Sequence, residues 1–120
     1  MNPDIKQAWL AALRSGEYKQ ARHALRRDGA FCCLGVICDL HHRAGLGQWE
    51  DRLIDDQYDG DASGLPPSVL AWAGLDQRFP IVDGVCITEL NDGADGDEED
   101  IPPIHPHSFL EIADLIEAHL

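Results

Sequence analysis

The sequence predicts a small single α+β domain, dominated by about four helices and completed by a short hairpin or small antiparallel sheet. Three observations carry that prediction. Four segments combine helical apolar spacing with recognisable start and stop signals. Arg27-Asp28-Gly29 is a turn signal that can end one extended run, and Asp83-Gly84 sits where a second would turn back as a hairpin. The 120 residues, 44% of them hydrophobic, suffice for one core without disulfides or a structural metal.

The first helix is predicted over about residues 3–15. Asn2 is the N-cap, Pro3 occupies the first turn and Asp4 complements the positive end. Ile5, Ala8, Trp9, Ala12 and Leu13 form a Trp-centred stripe, and Gly16 can close the helix. Tyr18, Ala21, Ala24 and Leu25 fit either a helix or an extended run ending at Arg27-Asp28-Gly29; the extended reading is preferred. A buried helix follows over about 33–44, with Phe31 and Cys32 leading in and Gly45 after it.

Residues 46–64 read as a long polar Gly/Asp-rich loop with room for one short turn of structure, anchored by Trp49, Leu53, Ile54 and Tyr58. Pro67 to Ala73 is a short helix stopped by Gly74. Ile81-Val82 and Val85-Cys86-Ile87 flank Asp83-Gly84 as a hairpin. Asp92 to Asp100 is a low-complexity acidic segment expected to be mobile, and Ile101 to His107 is a Pro-rich connector. Ser108 and Glu111 form a capping box for a last amphipathic helix over about 108–119.

Charge is divided unevenly. The net charge is −13, made of about +3 over residues 1–43 and −16 over residues 44–120. The acidic part repels nucleic acid and anionic membranes and favours basic protein surfaces. The absence of an N-terminal basic-then-apolar segment and of any span-length apolar run points to the cytosol. Adjacent Cys32 and Cys33 with nearby Cys38 make a poor disulfide layout, so the thiols are read as reduced.

Several motifs together carry a resemblance: LRSGEYKQ (13–20), FCCLGVICD (31–39), LPPSVLAWAGL (65–75), TELND (88–92) and SFLEIADLIEAHL (108–120). In their order and joint presence they resemble a family of small proteins found in bacteriophages, prophages and actinobacterial genomes. In that family the LND motif usually runs almost directly into the SF-type helix, so residues 93–107 look like an insertion. The resemblance implies a mobile-element setting and brings no catalytic residue to transfer.

Candidate chemistry is limited. Cys38 and His42 lie four apart and could face one metal ion on a helix, with His105 and His107 adding ligands. Neither the paired Cys nor the His-x₃₋₅-His spacing of a structural zinc site accompanies them, and core packing is preferred. A thiolate–imidazolium pair of Cys38 with His41 or His42 lacks a supporting motif. Asp59, Asp61, Ser63 and Gly64 match the start of an EF-hand loop, but Leu70 stands where the bidentate Glu belongs and Pro66 and Pro67 interrupt it. No phosphate-cradling loop is present.

The preferred function is therefore a non-enzymatic phage-type accessory protein, directed against host defence, with no cofactor. Glu50, Asp51, Asp55, Asp56, Asp59, Asp61, Asp95, Asp97, Glu98, Glu99 and Asp100 would meet a basic surface of a host protein. The alternative is a sponge for a nucleotide signal. In it Lys19, Arg22, Arg26 and Arg27, for which pairing with the acidic half is otherwise the preferred reading, would hold phosphates while Trp49 or Trp72 stacks on a base. A Cys38/His42 thiol enzyme or metal-binding protein is a third reading.

Overall fold

A computed structural model describes residues 1–96 and 102–120. At its centre lies α2 (Cys33–Arg43), in which every residue from Cys33 to Asp39 is buried. A helix apolar around most of its circumference must be covered on several sides, and the other elements do this. Helix α1 (Pro3–Arg14) packs on α2 and on the last helix, α5 (Phe109–His119), while α3 (Pro67–Ala73) and α4 (Ile87–Asp92) cover other parts of α2.

The local signals explain where these helices begin. Asn2 Oδ1 accepts the amides of Asp4 and Ile5. Ser108 and Glu111 make the reciprocal capping box. Cys32 caps α2 through its sulfur, which accepts the Gly35 N–H at 3.4 Å. Trp9 is fully buried and donates from Nε1 to the Cys33 carbonyl at 3.0 Å, locking α1 to the start of α2. The Asn2 amide reaches the Ala73 carbonyl at 2.8 Å, which ties the ends of α1 and α3 together.

Three two-stranded antiparallel sheets complete the domain: β1 (Arg26–Arg27) with β2 (Ala30–Phe31), β3 (Trp49–Glu50) with β4 (Gln57–Tyr58), and β5 (Ile81–Val82) with β6 (Val85–Cys86). The first and last turn at Asp28-Gly29 and Asp83-Gly84. Both residues of each pair have positive φ, as a type I′ turn requires. The α+β, helix-dominated expectation holds, and the helices predicted at 3–15, 33–44, 67–73 and 108–119 correspond to α1, α2, α3 and α5. Residues 17–25 are not helical; Gln20 makes a parallel bridge to Phe31. The extended path lets Leu25 lie against α2 so closely that a Cβ on Gly35 would fall 1.8 Å from the Leu25 carbonyl oxygen.

Three expectations need correction. There is a fifth helix, α4, because strand β6 ends at Cys86 and Ile87 turns its side chain into the core. The stretch expected to be a loop contains β3 and β4, whose register pairs Trp49 with Tyr58. Leu53 and Ile54 do not anchor that stretch: they stand 101% and 70% exposed. Tyr58 is the anchor, fully buried beneath the Trp49 ring at 4.8 Å. Within the insertion, Ala94 and Ile104 bridge each other in antiparallel fashion. The acidic residues Asp97, Glu98, Glu99 and Asp100, on which the expected mobility rested, lie outside the described residues. Among the described residues no helix is long and apolar enough to cross a membrane.

Candidate functional site

The basic cluster and the acidic loop meet each other. Arg26, flat on the β1 edge, reaches Asp56 at 2.7 Å and Asp51 at 2.8 Å, with its guanidinium 4.3 Å over the Trp49 ring. Arg27 holds Asp55 at 2.6 Å. Arg78 makes a two-pronged pair with Asp61, and Arg52 holds Glu50 at 2.6 Å. Arg22 donates to the Asn91 carbonyl, while Lys19 is exposed. Trp72 packs edge-on against His41 at 5.1 Å. Of the residues considered for a phosphate-and-base pocket, Arg26 and Arg27 are therefore engaged in ion pairs, Arg22 is on a carbonyl, Lys19 is exposed, and Trp49 and Trp72 are half-buried.

The carboxylates show the same commitment. Burial pushes the Asp56, Asp59 and Asp61 carboxyls up, yet their hydrogen bonds outweigh it and hold all three below the ordinary value. The opposing donors are the Arg52 amide and Arg26 for Asp56, and the Ser68 hydroxyl and Gln48 amide for Asp59. For Asp61 they are Arg78 and the Gly64 and Ser63 amides. The oxygens of the calcium-like Asp59 and Asp61 are therefore already accepting from protein donors.

What remains of this region is its tip. Leu53 and Ile54 project into solvent from the β3–β4 connection, which the three pairs Arg26–Asp51, Arg26–Asp56 and Arg27–Asp55 brace on either side. The Arg52 amide also donates to Asp56 Oδ1 at 3.0 Å, closing the turn from within.

The thiols take a different place. Cys33 and Cys38 are fully buried, and burial pushes both well above the ordinary thiol value; Cys32 is pushed up to about 12 by the same cause, despite amide donors at the start of α2. Cys38 does not meet His42, whose Nδ1 bonds the Gly47 carbonyl at 2.8 Å. His41 is the buried imidazole. It lies 2.6 Å from the Tyr58 hydroxyl, and burial pushes its pKa down. Such thiols are poor nucleophiles at neutral pH.

A second polar centre went unrecognised in the sequence. Asn91, fully buried at the end of α4, accepts from the Cys33 amide at 3.2 Å and from Gln20 at 3.0 Å, and donates to the Ala21 carbonyl at 2.9 Å and to Asp92. Asp92 in turn accepts the His23 amide at 2.9 Å, and its other oxygen lies 3.6 Å from His23 Nδ1. Two cavities share His23 and Asp92 as a common wall. One is an open groove of about 610 Å³ bounded by Ala94, Asp95, Ile104 and His105. The other is a pocket of about 230 Å³ reaching Cys32, Phe79, Thr88 and Asn91. An Asn-Asp pair closing a short helix was the one available signal, and its partners lie some 70 positions away in the chain.

A family model described as a domain of unknown function, DUF8296, matches residues 1–120. The chain belongs to the DUF8296 family. No curated protein and no solved structure matches it. In this DUF8296 member the two regions offer different chemistry: a braced loop with an aliphatic tip in an acidic frame, and a groove bordered by imidazoles and a carboxylate.

Proposed function

We propose that the protein is a non-enzymatic accessory protein of phage or prophage origin, acting in the host cytosol against a host defence protein. It docks on a basic surface through its acidic half. The observation that carries this reading is the Leu53–Ile54 tip, two branched aliphatic side chains held in water on a loop fixed by ion pairs. An apolar centre within a polar rim matches the anatomy of protein–protein interfaces. Glu50 and Asp51 flank the tip, with side chains 52% and 95% exposed. Asp95 and the acidic run through Asp100 add long-range attraction. The partner has an apolar pocket ringed by Lys or Arg.

Six of the nine Lys/Arg side chains, Arg14, Arg26, Arg27, Arg43, Arg52 and Arg78, are paired with the chain's own carboxylates. This supports a cationic partner over an anionic one. Capture from host lysate on the immobilised chain tests the reading. A basic protein should be retained at low salt and released at high salt or by a soluble polyanion. Retention indifferent to both would overturn it.

A second reading has its own support in the two cavities meeting at His23 and Asp92. There the chain would sequester a small polar ligand between the imidazole and the carboxylate. A thermal-shift panel of nucleotides, polyamines and amino acids checks it: a ligand-dependent rise that His23→Ala abolishes supports this reading, and no rise with any of them rejects it.

A further inference from the structure

We propose that His105, His107 and Glu111 form a binding site for a divalent transition-metal ion, Zn²⁺ being the best match to two imidazoles and a carboxylate. This goes beyond the partner reading and stands or falls independently of it. One ligand atom from each of the three residues lies within 4.8 Å of the other two, and among the described residues this is the one such group of three or more His, Cys, Asp and Glu side chains. Imidazole nitrogen with carboxylate oxygen is a donor set for Zn²⁺, Cu²⁺ or Ni²⁺, not for Ca²⁺ or Mg²⁺.

The backbone carrying the ligands is fixed from both sides. The Ala94 and Ile104 amides each donate to the other's carbonyl at 2.8 Å, immediately before His105. The His107 amide donates to the Leu90 carbonyl at 2.7 Å. Pro106 sets φ between the two histidines and packs on Gly93, where a Cβ would lie 2.9 Å from Pro106 Cγ. Glu111 is fixed in turn as the capping-box residue of α5, its Oε1 accepting the Ser108 amide at 3.1 Å.

The proton placement also suits an ion. His107 Nδ1 lies 2.9 Å from the His105 carbonyl oxygen. A carbonyl only accepts, so Nδ1 carries a proton, and in the neutral imidazole Nε2 keeps its lone pair for an ion. This backbone bond is a common way of orienting a metal-binding imidazole. The two rings are stacked with centroids 4.5 Å apart. Zinc–nitrogen bonds of about 2.0–2.1 Å place tetrahedral donors ~3.3 Å apart, so side-chain rotation over a fixed main chain completes the site.

Three protein ligands leave a fourth position open. His105 also borders the 610 Å³ groove, so an ion there stands at the groove's rim with a coordination position for water or a ligand atom. Glu111 offsets the unfavourable placement of a cation near a helix N-terminus.

The test uses tag-free, chelator-treated full-length protein titrated with Zn²⁺ against a chromophoric chelator. One equivalent should bind. Glu111→Gln keeps the capping box, because Gln serves at that position, and should weaken binding at least ~10-fold; His105→Asn and His107→Asn should do the same. All three variants should keep the melting temperature of the metal-free parent, while Zn²⁺ raises it in the parent alone. Cobalt substitution supplies a second readout: the bound Co²⁺ should show no thiolate charge-transfer band. Absence of binding at millimolar Zn²⁺, equal affinity in parent and variants, or a thiolate band would each overturn the proposal.

Discussion

The chain has two acidic stretches, 49–61 and 92–107, and the fold uses them in opposite ways. In the first, carboxylates close onto Arg26, Arg27 and Arg78, and the loop becomes a rigid bracket for Leu53 and Ile54. In the second, the Ala94–Ile104 and His107–Leu90 main-chain bonds hold the described residues, Asp92 is bonded to His23 and Asn91, and Asp95 and His105 border the open groove. Equal acidity in sequence therefore does not mean equal availability. Side chains bonded within the chain build the frame, and those facing cavities or solvent are left for recognition.

The largest way to break the frame lies behind the first stretch. Gly35→Ala puts a methyl into the Leu25 carbonyl. Forced overpacking against backbone should cost about 3 kcal/mol or more. Urea denaturation should show it, or the variant should fail to accumulate as folded protein. Asn91→Ala strikes the second region. It strips partners from the Cys33 amide and the Ala21 carbonyl, at a cost of about 2–4 kcal/mol for newly unsatisfied buried groups. The same denaturation curve reads it.

Arg26→Ala is next, at about 1–2 kcal/mol, since it frees two carboxylates and removes the cation stacked on Trp49. It also changes the pH profile. Asp56, Asp59 and Asp61 have folded-state values below the ordinary 3.8, so the unfolded chain binds protons first as pH falls. Their contribution is complete above about pH 5 and is lost as pH drops through the folded values. Denaturation midpoints from pH 6 to pH 2 should fall in that window, and Arg26→Ala should make the fall shallower. The smallest effect belongs to Glu50→Gln. Its pair with Arg52 is half exposed on both sides, and such pairs are worth roughly 0–1 kcal/mol. A midpoint change larger than that would show the frame to be more cooperative than its separate pairs.

Much of the architecture was legible in the sequence because it rests on local rules. Caps at Asn2 and Ser108, a proline at position 67 and Asp-Gly turns announce themselves within a few residues. Helix α4 did not, because no side chain caps it and Val85-Cys86-Ile87 is the apolar run a strand would show. Strands β3 and β4 were hidden because their register depends on Tyr58 being buried under Trp49, a tertiary fact. At the candidate sites the charge division and the pairing of the basic cluster with the acidic half were visible, but the particular partners were not: Arg26 meets Asp56 across 30 positions, and His23 meets Asp92 across 69. Periodicity could not choose between His41 and His42 either. The fold buries the first against Tyr58 and leaves the second on a backbone carbonyl.

The two stretches separate most cleanly at the Leu53–Ile54 tip, where recognition can be removed without touching the frame. Both side chains are exposed, so Leu53→Ser with Ile54→Ser should leave the melting temperature within about a degree of the parent, as surface changes usually do. Capture of the basic host protein should then be measured with parent and double variant at the same low salt. The account predicts at least a tenfold loss of retained partner, equivalent to about 1.4 kcal/mol or more of binding free energy. Undiminished capture by a fully folded double variant would contradict it.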